Sequence, residues 1–488
     1  MRYSSEIIKL IFAPTIRTKT LIELLMGPWI VAFLILFFCS CNKLVEIPQP
    51  NNTITIEKLF ENDPNANAAI ASIYSQMNSG STFYNLRYAN GLTTIAGGAS
   101  SDELNIAGFL YSQFQKYSFL STDGQIGMSF WTPAYNQIYQ ANAAIESLSA
   151  SKGVSPALKT TLRGEAKFLR AFAHFYLVNL FGDIPIVTQS EWSKINLLKR
   201  SPVDSVYSQI IQDLTDAQAA LPSDYSAGGG EKIRANKWAA TALLARVYLY
   251  KGDWANAEQQ ASLMINSGLF RLPGDPDSVF LKNSDEAILQ WQTQDAATNK
   301  YATVEGTNLI PTSHTSSAAY SLTAGLLGVF EPNDLRRSDW VDSTKFGGKY
   351  YFFPFKYKVK VGTAGGVTEY YMVLRYAEQY LIRAEARAKT GTDLAGAQDD
   401  INMIRRRAGL NDLDPSLDQA GTLAAIAQER RVEFFAEWGH RWFDLKRRGE
   451  ADAVLGSRAG WRPEVKLWPI PATELITDPN LVQNPGYN

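Results

Sequence analysis

Histidine and cysteine are scarce in this chain: 3 and 2 of 488 residues. Two cysteines cannot build a disulfide framework or a cysteine-rich zinc site. His174, His314 and His440 are far apart in sequence and form no H-E-x-x-H arrangement, so no His-rich metal centre is expected. Neither sign of charge is in excess, with 47 Lys+Arg against 48 Asp+Glu and a formal net charge of -1. A general nucleic-acid binder needs a basic face, and this composition argues against that class. Charged residues are only 19% and apolar ones 45%, too few and too many for a disordered chain. The sequence also lacks G-x-S-x-G, Walker A, G-x-G-x-x-G and EF-hand signatures. No cofactor, metal or catalytic constellation is expected. Aromatics, at 12%, are plentiful.

The N-terminus reads as targeting sequence. Arg2, Lys9, Arg17 and Lys19 precede an apolar run from Leu24 to Phe38, LLMGPWIVAFLILFF. That run is short for a membrane span, which needs about 20 apolar residues, and suits a signal-peptide core. Phe38-Cys39-Ser40-Cys41 follows. A small residue before a cysteine resembles a lipoprotein cleavage site, which favours Cys41 over Cys39 for lipidation. The expected organisation is a signal peptide over 1–40, a lipidated tether over 41–52 and one α-rich domain over 53–488. No second hydrophobic span follows, so attachment to the membrane would be through the N-terminal lipid.

The body is expected to be mainly α. In 165–181, Leu169, Phe172, Ala173, Tyr176, Leu177 and Leu180 fall on one helical face, with Lys167, Arg170 and His174 opposite. Residues 237–251 are apolar nearly all round, as in a helix buried between others. Gly252-Asp253 turns them into a second helix over 254–265. A similar pair is predicted from a helix over 371–389, a turn at Thr390-Gly391-Thr392, and a helix over 393–407. These are degenerate, TPR-like helix pairs, far apart in sequence. Further helices are predicted over 65–78, 130–149, 203–220 and 422–438. Long inserted loops over 80–128 and 267–369 interrupt them, with short β-like runs such as Lys349-Tyr-Tyr-Phe-Phe353. Loops of that length in a compact body are usually functional.

A helical exported protein with aromatic loops could be a glycoside hydrolase, which needs two carboxyl groups across the scissile bond. Asp102-Glu103 is the acidic pair in the first loop region. A protein-binding TPR-like scaffold or lid is another alternative.

Four segments carry a family resemblance: AKFLRAFAHFYLVNLFGDIPIV at 166–187, LRYAEQYLIRAEARAKTG at 374–391, ERRVEFFAEWGHRWFDLKRRG at 429–449 and the terminal LWPIPATELITDPNLVQNPGYN. In this order they resemble the RagB/SusD family of outer-membrane lipoproteins. The resemblance implies an α-rich scaffold of TPR-like pairs on the cell surface. It implies a non-catalytic protein that captures an oligosaccharide or other oligomeric nutrient and delivers it to a TonB-dependent (SusC-like) outer-membrane transporter. Taken on its own residues, the charge-dense, aromatic 429–449 block predicts buried, paired arginine forks and carboxylates. Pro469-Ile-Pro471 and Asn484-Pro-Gly-Tyr487 predict rigid C-terminal clips.

Sugar rings have apolar C–H faces and hydroxyl edges, and suit an aromatic platform flanked by polar groups. Candidate ligand contacts are therefore loop aromatics and their polar neighbours: Tyr84, Arg87, Tyr88, Asn90 and Asp102 in the first loop region, and Trp291, Tyr301, Asn308, His314 and Tyr320 in the second.

Overall fold

A computed structural model describes residues 56–78, 86–293, 302–361 and 366–487. Cys41, the leader and the tether lie outside the described residues, as do Tyr84 and Tyr301. Among the described residues, helices of eight residues or more are α1 (Asp63–Met77), α2 (Thr93–Ser100), α3 (Thr132–Ala150), α4 (Pro156–Phe181), α5 (Val203–Ala220), α6 (Lys237–Lys251), α7 (Trp254–Asn266), α8 (Tyr376–Thr390), α9 (Leu394–Arg407), α10 (Gln419–Glu433) and α11 (His440–Arg447). The strands are β1 (Leu104–Ile106), β2 (Ala287–Trp291), β3 (Tyr320–Leu322), β4 (Val341–Phe346), β5 (Lys349–Pro354) and β6 (Tyr371–Arg375). They form three antiparallel two-stranded ribbons, β1–β3, β2–β6 and β4–β5. The mainly α, TPR-like architecture read from the sequence holds.

Helix boundaries follow local chemistry. The α6–α7 turn puts Gly252 at φ 74°, a left-handed position that glycine adopts without steric cost, and the Asp253 side chain then accepts from the Asn256 N–H. Gly391 and Asp393 repeat the device between α8 and α9. Each side-chain cap stabilises by about 1 kcal/mol.

The two distant helix pairs are adjacent in space. From α3 each helix packs on the next through α7, then α7 packs on α8, and α8 on α9 and α10. The helical array is thus continuous, and 267–375 is an excursion that leaves it after α7 and returns at α8. One buried apolar cluster extends from Phe60 to Tyr487. The C-terminus is clipped as expected: the Asn484 amide donates to the Phe181 and Trp468 carbonyls at 2.9 and 2.7 Å, and the Tyr487 hydroxyl to Leu467 O at 2.9 Å.

Several sequence expectations are corrected. The helix predicted from 371 begins at Tyr376, because Tyr371–Arg375 pairs with Ala287–Trp291 as a strand. A short apolar run is ambiguous between helix and strand until its partner is known. Residues 80–128 contain the fully buried helix α2, on which every face packs. Its Gly97 is required: a Cβ there would stand 2.5 Å from Gly439 Cα. Two of the three residues assigned to the polar face of α4 are interior, with Arg170 gripping Asp213 through Nε at 2.8 Å and His174 fully buried, while Lys167 stays half-buried on Asp216. The helix expected through 438 stops at Glu433. Ala436 and Trp438 take φ of 50° and 46°. Such strained residues persist where their surroundings fix them. Trp438 N–H donates to Thr94 Oγ1 at 2.8 Å, its indole to Met372 O at 2.7 Å, and its ring stacks on Tyr371 at 5.0 Å.

The charge-dense block forms a buried knot. Glu433 accepts from Arg336 at 2.9 Å, from Arg375 at 2.5 Å and from Arg407. Glu286 accepts from Arg375 and Arg407 at 2.7 and 2.9 Å, and Glu437 from Arg375 at 2.8 Å. Burial opposes ionisation of Glu433, yet the Arg407, Arg375 and Arg336 guanidiniums prevail and hold its carboxyl well below the usual range. A second fork joins Arg430 and Arg447 to Asp444, each at 2.8 Å, and Arg447 to Glu385 at 2.6 Å. Breaking such a pair costs about 3–5 kcal/mol, so this knot fixes how β6, α9, α10 and α11 meet.

Candidate functional site

Two clefts flank α1. The first, of about 300 Å³, lies between α1, the turn at 86–92 and the start of α3. Gly91, at φ 90°, lets the turn pass against Val304. Asn90 is fully buried and its side-chain oxygen accepts from the Arg87 N–H at 2.5 Å. With the turn fixed, Arg87 is exposed at the cleft edge and Tyr88 is buried in its floor. The Tyr88 hydroxyl donates to Gln137 Oε1, and its ring packs 6.5 and 6.1 Å from those of Phe172 and Tyr176. Burial, with Tyr176 beside it, pushes this phenol well above its ordinary value, so it remains a neutral donor.

Amides complete the wall. Gln137 donates through Nε2 to Leu169 O at 2.8 Å, and Gln140 to Gln76 Oε1 at 2.7 Å. Asn136, Thr132 and the exposed Met128 line the mouth. Guanidinium, amides, a thioether and a tyrosine floor offer hydrogen bonds around an apolar patch, the chemistry that a neutral sugar presents in complement. Among the described residues, no carboxylate lines this cleft.

The second cleft, about 440 Å³, lies along the Ala68, Ala71, Ser72 and Ser75 face of α1. Trp291 lines it but is 1% exposed, its ring edge-on to Tyr74 at 5.7 Å and Phe172 at 5.8 Å. Arg234 there is committed to Glu165 at 2.8 and 2.7 Å.

The remaining candidates do not converge on either cleft. Asp102 accepts from Arg431 at 2.6 Å and Arg441 at 2.7 Å. Burial resists its ionisation, but those guanidiniums lower its carboxyl below the ordinary value. Its neighbour Glu103 is pushed up to about 8 by burial and by Asp102, and accepts from the Ala436 N–H. The pair thus ties α2 to the α10–α11 junction. Asn308 is buried and donates to Val304 O at 2.7 Å. Tyr320 is buried on β3, paired opposite Ile106. His314 is exposed, its Nε2 3.0 Å from Asp342 Oδ2. Of the sequence candidates, Arg87 and Tyr88 meet in one cleft with Asn90 behind them. Gln76, Asn136, Gln137 and Gln140 escaped sequence reasoning. The one available signal was Gln137, a polar residue on the buried Ala134–Ile138–Ala141 stripe of α3.

Residues 57–249 match a sequence family described as starch-binding and associating with the outer membrane, and residues 282–487 match the SusD family. The chain belongs to the SusD/RagB family. The SusD-like protein P2 of Formosa agariphila is 28% identical over 93% of this chain and 98% of its own. A solved laminarin-binding SusD-like protein superposes on this SusD-like chain with a TM-score of 0.73 at 26% identity, covering 88% of this chain and 100% of the other. Surface glycan-binding protein A of Bacteroides fluxus gives a TM-score of 0.69 at 25% identity over 87% and 99%. Within this SusD-like fold the first cleft is formed where α1 meets the start of the helical array.

Proposed function

We propose that this protein is a non-catalytic, lipid-anchored glycan binder of the outer-membrane surface. It captures an oligosaccharide and delivers it to a TonB-dependent, SusC-like transporter. The reading is carried by family membership together with one observation: a cleft lined by amides, Arg87 and Tyr88 and, among the described residues, by no carboxylate. Glycoside hydrolysis needs an acid and a second carboxylate facing one bond, whereas Asp102 is already held by two arginines. The relatives named for laminarin and surface glycan support an oligosaccharide ligand. Cys41 carries the acyl anchor after removal of 1–40, and 41–52 links it to the single domain that follows.

Titration calorimetry with laminari- and malto-oligosaccharides tests the reading. Binding is expected, weakened by Arg87→Ala and Gln140→Ala. Copurification of the transporter with no oligosaccharide binding would reduce the protein to a lid. That second reading draws on the continuous helical array, an architecture suited to protein contact. Labelling with an alkyne fatty acid should mark the protein, and Cys41→Ser, not Cys39→Ser, should abolish the label.

A further inference from the structure

The β4–β5 hairpin is a braced ribbon that ends in solvent. Gly347 and Gly348 both have positive φ, 58° and 81°, giving a two-residue turn that suits strand twist. The ribbon is tied to the neighbouring turn: Thr344 Oγ1 donates to Ser316 O at 2.7 Å, and Lys345 N–H to His314 O at 2.9 Å. Among the described residues the exposed aromatics are Phe109, Tyr139, Trp192, Phe346 and Tyr350, and this hairpin alone carries two.

Register sets their surroundings. Lys345 pairs with Tyr350 and Ser343 with Phe352. Side chains two apart on a strand share a face, so Tyr350 and Phe352 stand side by side, about 6.6 Å apart along the strand. A cation sits over each ring: Lys345 Nζ is 5.2 Å from the Tyr350 centroid, and Arg337 Cζ 4.8 Å from that of Phe352. No ion pair with a carboxylate engages either cation among the described residues. Tyr350 is 62% exposed, and packing does not account for its position. The result is a strip of one exposed ring, Tyr350, beside a half-buried ring, Phe352, that packs on the core, each with a cation over it that has no carboxylate partner among the described residues.

We propose that this strip is a second sugar contact, for a glycan that carries sulfate or carboxylate groups. The apolar face of a sugar ring lies against the side of Tyr350 that Lys345 leaves open, with the half-buried Phe352 at its edge, and its anionic substituents meet Lys345 and Arg337. Charge complementarity selects this occupant: a neutral sugar would use the rings and leave both cations without partners. The strip shares no residue with the cleft beside α1. The inference rests on the glycan-binding reading and narrows its substrate class.

Affinity electrophoresis of the full chain tests it with dextran sulfate, polygalacturonate, uncharged dextran and poly-glutamate, a polyanion without sugar rings. Retardation by dextran sulfate or polygalacturonate is expected, and the stronger of the two separates sulfate from carboxylate as the recognised group. Tyr350→Ala should weaken the acidic glycans about tenfold. Lys345→Gln should weaken them about threefold and flatten the salt dependence. Both side chains are exposed, so melting temperatures should not change. Equal retardation by poly-glutamate, or acidic glycans unmoved by Tyr350→Ala, overturns the strip. If neutral oligosaccharides still bind and Arg87→Ala still weakens them, only the strip falls. If no glycan of any kind binds, the glycan-binding reading falls with it.

Discussion

The knot around Glu433 and the wall of the first cleft use similar polar chemistry to opposite ends. In the knot, Arg336, Arg375 and Arg407 are nearly inaccessible and every guanidinium faces carboxylates. In the cleft, Arg87 is exposed and Gln140, at the surface, spends one N–H on Gln76, while Gln137 is buried between Tyr88 and Leu169 O and holds the wall in place. A charge withdrawn from water must be paired, and pairing leaves it no capacity for a ligand. A ligand site therefore belongs where neutral amides and a solvated cation keep unspent hydrogen-bonding capacity. Polar residues of the two regions should respond differently to substitution: stability in the knot, affinity in the cleft.

The sharpest break in that contrast is Arg375→Ala. It strips partners from Glu286, Glu433 and Glu437 together. A loss of about 3–5 kcal/mol is expected in urea unfolding, with oligosaccharide affinity unchanged in the protein that remains folded. If affinity falls in step, the two regions are coupled and the contrast fails.

Next in size is a pH effect centred on Glu305, beneath the cleft turn. Burial pushes this carboxyl up to about 8, against an ordinary value of 4.5, although the Thr94 hydroxyl donates to it. Between those values the folded chain holds a proton that the unfolded chain has released, so stability falls as pH rises from about 4.5 to about 8. Glu305→Gln should reduce that slope, part of which Glu103 also carries, and stabilise by about 2–3 kcal/mol at pH 8.5, while leaving stability at pH 4 nearly unchanged. Thermal unfolding across that range reads it. An unchanged slope would mean that the carboxyl ionises freely.

Legibility in the sequence divides along the same line. The 429–449 block could be read because dense arginine and glutamate among aromatics fit a core only when paired. The helix pairs could be read because Gly252-Asp253 and the Gly391 turn punctuate strong periodicity. Asp102, Trp291 and Tyr320 looked like ligand contacts because they sit in polar, irregular sequence, but burial depends on distant partners: Arg431 and Arg441 for Asp102, Phe172 for Trp291. The cleft amides were hidden for the converse reason. Gln140 lies within an ordinary helix, and no period distinguishes a glutamine facing a cleft from one facing bulk water. Helix α2 was hidden because it is short and built from weak helix formers, with Thr93, Thr94, Gly97, Gly98 and Ser100 among its eight residues.

That buried helix gives the next test. Gly97→Ala would place a methyl 2.5 Å from Gly439 Cα, where neither backbone can yield cheaply. About 1–3 kcal/mol of destabilisation is expected by denaturant titration. Ala96, one position away and fully buried, already carries that methyl, so the effect should belong to this contact and not to helix propensity. Since α2 follows directly from the turn that holds Tyr88, some loss of oligosaccharide affinity should accompany the loss of stability.

The smallest stability effect should come from Arg87, the residue proposed to meet the ligand. Arg87 is exposed, and its backbone N–H, not its guanidinium, makes the bond to Asn90 that fixes the turn. Arg87→Ala therefore preserves the turn and should shift unfolding by no more than about 0.5 kcal/mol. Oligosaccharide affinity should nonetheless fall about tenfold, the usual worth of a hydrogen bond from a charged donor. Asn90→Ala reverses the pattern: it removes the buried acceptor, so stability should fall together with affinity. If Arg87→Ala leaves affinity intact while Asn90→Ala lowers it, the turn matters only for its shape, and the cleft's contacts lie in the amides of α3.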